Sequence, residues 1–184
     1  NYTRLDSAAA TTLDFVGFDL SSASYTQNFD VSGQDTIPHG IAFSTDGAKM
    51  FVIGQIGQDV NEYALSSSFD VSTSVFVDSF SVSGQETSPM GLAFNVDGSK
   101  MFVIGAVTDS VHEYALSTGF DVSTAVFTDA FSIATQDSGP RDVAFSTDGS
   151  KMFVVGDSSD KVFEYSLSTG FDVSTASYTS EFSL

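Results

Sequence analysis

The hydrophobic positions of this chain recur with a fixed period. Residues 101–104 are consecutively apolar (Met-Phe-Val-Ile) and follow the polar phrase Asp-Gly-Ser-Lys at residues 97–100. Nearly the same sequence begins 51 residues earlier at Asp46 and 51 residues later at Asp148. A period of this size predicts a tandem array in which one structural unit is built three times.

Turn chemistry divides each unit into four β-strands. Asp97-Gly98 predicts a tight two-residue hairpin, because both residues accept the positive φ that such a turn requires. Asp121, in the polar connection before the last strand, predicts an Asx turn. No segment has an apolar period of 3.6, so we expect essentially no helix. In the second unit the four predicted strands are residues 91–94, 100–104, 111–116 and 126–133.

The apolar runs in the first two strands of a unit do not alternate with polar residues. Residues 92–94 and 101–104 are apolar at every position, so both faces of these strands need cover. In a plain β-sandwich, polar residues facing solvent would alternate with apolar ones along each strand. A β-solenoid would need shorter repeats. We therefore predict an all-β fold, a β-propeller with one four-stranded blade for each 51 residues.

The outer strand occurs once more than the hairpin does. The phrase Phe-Asp-(Val or Leu)-Ser begins four times, whereas the Asp-Gly hairpin occurs three times. Residues 1–17 do not match the repeat and are predicted to form an irregular arm with a short strand near Leu13. The predicted blades are residues 18–68, 69–119 and 120–170, with a surplus outer strand at 171–184.

Three blades are too few to close a ring, because closed propellers have about four to eight. An open stack would expose an apolar blade face at each end. We therefore expect a homodimer in which two chains complete one six-bladed ring. The surplus outer strand is expected to complete a blade at the joint by strand exchange.

Positions that are identical in all three copies are predicted to be scaffold. They include a lysine in each hairpin (Lys49, Lys100 and Lys151) and a Glu-Tyr pair in each third strand. We expect each lysine to pair with a nearby carboxylate. Positions that differ between the copies remain free for recognition.

Two variable loops are predicted to lie together around the mouth of the central channel. His39, Met90 and Arg141 occupy equivalent positions with different chemistry, which suits an asymmetric face for a protein or glycan. Neutral drift in exposed loops is the alternative explanation. The other candidate ligand-binding residues are Gln58, Asp59, Thr108, Asp109, Asp157 and Asp160.

A glutamine followed by an acidic residue recurs before every inner strand. If the acids Asp35, Glu86 and Asp137 ring the channel, a closed assembly would present six carboxylates, which suits a hard ion such as calcium. The alternative is that each acid caps the turn into its own strand.

Residues 38–52 (Pro-His-Gly-Ile-Ala-Phe-Ser-Thr-Asp-Gly-Ala-Lys-Met-Phe-Val) resemble the blade motif of the YVTN and NHL propeller families. The added phrase Phe-Asp-Val-Ser-Thr-Ala resembles repeats of large secreted or phage-encoded proteins from aquatic environments. The resemblance implies a propeller that serves as an adhesin, scaffold or sensor, and sometimes as an enzyme. In the third unit Arg141-Asp142 departs from the family's x-Gly pair.

The charge balance limits the partners. The chain has 24 acidic and 6 basic residues, a formal net charge of −18, which argues against nucleic acid and anionic membrane surfaces. It has no cysteine, and no apolar run approaches the ~20 residues of a membrane span. This composition favours an extracellular or virion-surface location.

Catalytic motifs are missing from the sequence. The two histidines, His39 and His112, lie at different repeat positions, and no nucleophile elbow, metal-spaced histidine pair or phosphate loop occurs. We therefore predict a structural and recognition module that is not an enzyme. The alternatives are a glycan-binding lectin propeller and a calcium-assisted sugar hydrolase or lyase.

Overall fold

The computed structural model describes residues 20–183, which form three four-stranded antiparallel sheets. The predicted arm at residues 1–17 lies outside the described residues. The first sheet contains β1 (Pro38–Phe43), β2 (Lys49–Gly54), β3 (Asp59–Leu65) and β4 (Ser74–Ser81). The second contains β5 (Pro89–Phe94), β6 (Lys100–Gly105), β7 (Ser110–Leu116) and β8 (Ala125–Ser132). The third contains β9 (Pro140–Phe145), β10 (Lys151–Gly156), β11 (Lys161–Leu167) and β12 (Ala176–Ser183).

Strand order within each sheet follows the chain, so every sheet is a meander from an inner to an outer strand. We call the three sheets blades 1, 2 and 3. Helical structure among the described residues is limited to four single 3₁₀ turns, in agreement with the absence of a 3.6-residue apolar period. These turns are Leu20–Ser22, Val71–Thr73, Val122–Thr124 and Val173–Thr175.

The blades pack face to face, as the two-sided apolar strands require. Phe51 and Ile53 on one side of β2 form a single buried cluster with Met101 and Val103 of β6. We call the Phe51 side of a blade its back face and the Met101 side its front face. Because adjacent residues of a strand point to opposite faces, the central blade needs cover on both sides. The four apolar side chains of β6 are fully buried.

The outer strands of blades 1 and 2 each cover a tyrosine of the next blade. Phe80 of β4 meets Tyr114 of β7 edge-on, with ring centroids 5.5 Å apart and an interplanar angle of 78°. Phe131 of β8 meets Tyr165 of β11 at 5.4 Å and 77°. This contact therefore repeats at each boundary between blades.

The strand copy left outside the sheets is the first one, not the last. The segment 171–184, which the sequence division left as surplus, contains β12, and β12 pairs with β11 throughout. Residues 23–30 stand one period before β4 and belong to none of the three sheets. Phe29 nevertheless covers Tyr63 at 5.5 Å and 77°, the geometry found between neighbouring blades.

The hairpin turns differ from the predicted two-residue type. Gly98 N–H donates to the Asn95 carbonyl at 3.1 Å, so the turn spans four residues, and Gly98 has a φ of +71°. Asp97 does not adopt a positive φ; its carboxylate accepts a hydrogen bond from Ser99 N–H at 3.0 Å. The predicted Asx turn is present, since Asp121 accepts from Ser123 N–H at 3.2 Å.

The Gly98 turn lies against a strained residue. Phe120 has a φ of 57°, which is unfavourable for a bulky side chain. Phe120 N–H donates to the Gly98 carbonyl at 3.0 Å, and a Cβ atom on Gly98 would overlap the Phe120 ring. The glycine therefore provides both the positive φ and the space for the ring.

We expect Gly98→Ala to lower the free energy of unfolding by about 2–4 kcal/mol, because it combines an unfavourable backbone conformation with overpacking. Urea denaturation measures the change. The control is Gly84→Ala, where an added Cβ meets nothing within 4 Å and the expected change is within about 0.5 kcal/mol. Equal effects of the two substitutions would contradict this account of the turn.

Candidate functional site

The two variable loops of each blade meet at one end, as the antiparallel meander requires. A buried carboxylate ties them together. Asp35 accepts hydrogen bonds from Ile37 N–H at 2.6 Å, in the loop before β1, and from Gly57 N–H at 2.7 Å, in the loop between β2 and β3. We call this end of the blades the loop face. Its loops are held by their own blade, so the exposed side chains stand on a fixed frame.

Glu86 performs the same task in blade 2. It accepts from Ser88 N–H at 2.7 Å, from Thr108 N–H at 3.1 Å and from the Thr108 hydroxyl at 2.7 Å. Burial by itself raises the pKa of Glu86, but these hydrogen bonds outweigh burial and the pKa lies below its ordinary value. In blade 3, Asp137 accepts from Gly139 N–H at 2.6 Å and from Ser159 N–H at 3.0 Å.

All three acids serve the same purpose. Each binds the backbone of its own blade, which is the turn-capping arrangement that was the alternative to a calcium site. Among residues 20–183, no group of three or more His, Cys, Asp or Glu side chains is placed to hold a metal ion. Both carboxylate oxygens of each acid accept at least one hydrogen bond.

Two of the three equivalent loop-face positions touch. Arg141 donates from Nη1 to the Met90 sulfur at 3.5 Å, across the boundary between blades 2 and 3. It also donates from Nε to the Asp157 carboxylate at 2.8 Å, and Nη2 binds the same oxygen. A half-buried thioether, an exposed guanidinium and an exposed carboxylate therefore form one cluster.

His39 lies on the free side of blade 1. It lines a groove of about 370 Å³ together with Phe29, Met50 and Val52. Met50 and Val52 belong to the front face, and their counterparts in blade 2 contact the preceding blade. This groove is therefore part of the end of the blade stack as well as of the loop face.

The remaining predicted residues occupy the loops between the second and third strands. Gln58, Asp109 and Asp160 have positive φ values of 48–55° and shape these turns. Asp59 accepts from the Asn61 amide at 2.9 Å. Asp109 Oδ1 is buried without a hydrogen-bond partner among the described residues, and burial, with Glu86 and Asp137 nearby, raises its pKa.

The sequence analysis did not predict a series of hydrogen-bonded side chains in blade 2. Thr108 Oγ1 lies 2.8 Å from His112 Nε2 and also donates to Glu86, so we assign the Nε2–H tautomer to His112. Burial lowers the pKa of His112, against an opposing effect of Glu86. The counterparts of His112 are Asn61 and Phe163, so no repeat pattern could indicate this contact.

A second feature links neighbouring blades, and we call it the latch. Lys49 forms an ion pair with Glu62 at 2.7 Å, as predicted, and both then bind the backbone of blade 2. Lys49 Nζ donates to the Phe120 carbonyl at 2.7 Å, and Glu62 accepts from Val122 N–H at 3.0 Å. The latch thereby holds the strained Phe120 segment against blade 1.

The latch is repeated between blades 2 and 3. Lys100 pairs with Glu113 at 2.6 Å; Lys100 donates to the Phe171 carbonyl at 2.6 Å, and Glu113 accepts from Val173 N–H at 3.0 Å. Blade 3 carries the pair Lys151–Glu164 at 2.7 Å, with no following blade in the described chain. Glu164 is accordingly 27% exposed, against 2% for Glu62.

Comparisons with known proteins show the fold. No protein-family model matches the chain, and no curated protein matches it. A β-propeller domain, Cps50 (Swd1) of Myceliophteria thermophila, is similar with 10% identity and a TM-score of 0.52 over 79% of this chain and 42% of that one. The chain is thus a partial β-propeller of three four-stranded blades, and it spans about two fifths of the structures it resembles.

Enzymes are among the similar structures. The periplasmic gluconolactonase PpgL of Pseudomonas aeruginosa is 17% identical, with a TM-score of 0.54 over 79% of this chain and 38% of that one. A Bacteroides uniformis protein described as a candidate 6-phosphogluconolactonase is 14% identical, with a TM-score of 0.60 over 80% and 41%.

These neighbours contradict the prediction that the chain is not an enzyme. The prediction took the lack of catalytic motifs as evidence against catalysis, whereas a protein of the same fold is described as a gluconolactonase. At such low identity the likeness shows the fold alone, so it assigns no reaction to this chain. No helix within residues 20–183 is long and apolar enough to span a bilayer.

The Glu86 carboxylate makes stability depend on pH. The pKa of Glu86 lies below its ordinary value of 4.5, so its contribution is complete above pH 4.5 and is lost as pH falls through the lower folded-state pKa. We expect Glu86→Gln to lower the free energy of unfolding at pH 7 by about 1–3 kcal/mol.

The difference between wild type and Glu86→Gln should shrink as the pH falls below 4.5, measured by urea denaturation across the pH range. The exposed carboxylate of Asp129 supplies the control, and Asp129→Asn should change stability by less than about 0.5 kcal/mol at pH 7. A difference that stays constant down to pH 3 would refute the role given to Glu86.

Proposed function

We propose that the chain supplies three blades of a closed propeller ring, completed by a second copy of the chain, and that the loop face of this ring binds a protein or glycan. The proposal includes an extracellular or virion-surface location, which the acidic, cysteine-free composition favours. It also includes kinship with the YVTN and NHL type of blade, on the motif at residues 38–52.

One observation carries the proposal: the two ends of the stack bear the two halves of a contact that the chain already makes twice. The back face of blade 3 has the Lys151–Glu164 pair and the half-buried Phe153 and Val155. The front of blade 1 has the Phe69–Val71 segment, with Phe69 at a φ of 58°, and the groove at Met50. The back face of blade 3 and the front face of blade 1 therefore carry the same kinds of residues that meet at the two boundaries between blades inside the chain.

The loop face supports ligand binding because its variable residues stand on a frame tied by buried carboxylates. The Met90–Arg141–Asp157 cluster offers a cation, an anion and an apolar contact within one patch. Such a combination fits a polar ligand with both charged and apolar parts, such as a protein segment or an acidic sugar.

Light scattering after size-exclusion chromatography tests the ring. The expected mass is twice the 19.4 kDa of one chain, at micromolar concentration. A monodisperse monomer would refute ring closure by a second copy.

The inner edge of the joint gives a second test of ring closure. Asp142 stands where blades 1 and 2 have Gly40 and Gly91, and a Cβ on Gly40 would lie 3.1 Å from the Met90 carbonyl of the next inner strand. We therefore expect Asp142→Gly to tighten the dimer several-fold in dilution experiments. Asp142→Asn keeps the size of the side chain and removes its charge, so it should tighten the dimer much less. Equal effects of the two substitutions would show that the charge of Asp142, and not its size, hinders the approach of the second copy.

A glycan array and a panel of surface proteins test ligand binding. Arg141→Ala should reduce the affinity of any bound ligand about tenfold or more, because it removes a charge-assisted contact. Ser168→Ala, an exposed position at the opposite end of the blades, is the control and should leave binding unchanged. Binding that survives Arg141→Ala unaltered would place the ligand elsewhere.

A further inference from the structure

We propose that, where two copies meet, residues 23–30 of one copy pair with β11 of the other and replace that copy's β12. This rests on the proposed function, because it requires a joint between two copies. It names the segment that each copy exchanges and the strand that the segment displaces.

The two competing segments are alike in sequence. Residues 23–29 read Ala-Ser-Tyr-Thr-Gln-Asn-Phe, and residues 176–182 of β12 read Ala-Ser-Tyr-Thr-Ser-Glu-Phe, so five of seven positions are identical. The corresponding positions of β4 read Ser-Val-Phe-Val-Asp-Ser-Phe and share one residue with β12. A segment so similar to β12 suits the edge of β11 in the same register.

Residues 23–30 are already placed for this role. Phe29 covers Tyr63 with the same distance and angle that Phe80 has over Tyr114, and the Val31 carbonyl accepts from Gln34 N–H at 2.9 Å as the Val82 carbonyl does from Gln85. Inside the chain, an outer strand continues directly into the connection to the next blade. Residues 23–37 reproduce that continuity when residues 23–30 serve as the outer strand of the preceding blade.

The two segments exclude each other at the joint. Phe182 is the counterpart of Phe131, which covers the tyrosine of the next blade, and Phe182 is 70% exposed. If another copy's blade 1 packs on blade 3 as internal blades pack, Phe182 would lie over that copy's Tyr63. That place is held by Phe29 of the same incoming copy, so one of the two strands has to leave.

Lys161 has an acidic partner in either arrangement, because it already forms an ion pair with Glu181 of β12. Lys161 of β11 lies opposite Ser183 in β12, and the same register places Asp30 opposite Lys161. The counterparts of Lys161 in blades 1 and 2 are Asp59 and Ser110, and each lies opposite a serine. Asp30 likewise stands where the other outer strands have serine, so exchange replaces the Lys161–Glu181 pair by a cross-strand Lys161–Asp30 pair.

Engineered cysteines report which strand lies on β11, because the chain has no cysteine of its own. Ser166 lies opposite Ser177 in β12, and exchange puts Ser24 in that place. Cross-strand neighbours are close enough for a disulfide. The variants Ser24→Cys/Ser166→Cys and Ser166→Cys/Ser177→Cys are each isolated as the assembled fraction, oxidised, and run on a non-reducing denaturing gel beside their single-cysteine controls.

The expected result is a covalent dimer from the pair at 24 and 166, and little disulfide from the pair at 166 and 177. A disulfide within one chain from the pair at 166 and 177, in an assembly of dimer mass, would overturn strand exchange and leave the ring intact. A monomer mass for the wild-type chain would overturn the ring itself, and strand exchange with it.

Charge reversal gives an independent measurement. Asp30→Lys should raise the dimer dissociation constant about fivefold, and the double variant Asp30→Lys/Lys161→Asp should restore it. Lys161→Asp alone is not used, because it also breaks the Lys161–Glu181 pair that holds β12. If Asp30→Lys leaves the dissociation constant unchanged, Asp30 does not face Lys161 and the exchange is refuted.

Discussion

The structure depends on the need to cover both sides of every central strand. In β6, Phe102 and Ile104 face blade 3 while Met101 and Val103 face blade 1, and all four are fully buried. Burying such side chains stabilises by roughly 1.5–3 kcal/mol each, which exceeds the usual value of an exposed ion pair. The stacking of blades is therefore driven by apolar burial, and no blade is complete without neighbours.

The polar contacts between blades serve a different purpose. A buried pair such as Lys100–Glu113 loses hydration, and its net contribution to stability is small unless further hydrogen bonds satisfy it. Here those hydrogen bonds come from Phe171 and Val173 of the next blade. The latch thus fixes this segment of one blade against the preceding blade. It also holds a phenylalanine in a conformation that it would otherwise avoid.

The sequence was informative where the repeat and the physical rule coincide. The 51-residue period, the two-sided apolar strands and the invariant lysines predicted the units, their stacking and the ion pairs. The sequence was less informative about turn geometry, strand pairing and loop contacts, which depend on the three-dimensional arrangement. The Asp97-Gly98 turn is longer than the dipeptide suggested, because Asp97 caps Ser99 and leaves the positive φ to the glycine. The phase of a repeat is arbitrary in sequence, so only the sheets show that β12 is paired and residues 23–30 are not. Capping of a turn was one of two expectations for Glu86, and only the structure shows which loop it binds.

The latch has a consequence for how the chain unfolds. Its hydrogen bonds join residues 60 and 71 positions apart but never reach beyond the adjacent blade. Stability in such an array is a sum of blade terms and nearest-neighbour terms, as in a one-dimensional Ising chain. Within a single chain, blade 2 has two neighbours and blade 3 has one among the described residues, so without a second copy the outer blades should open locally first. Amide protons of β6 and β7 would then exchange with solvent more slowly than those of β10 and β11.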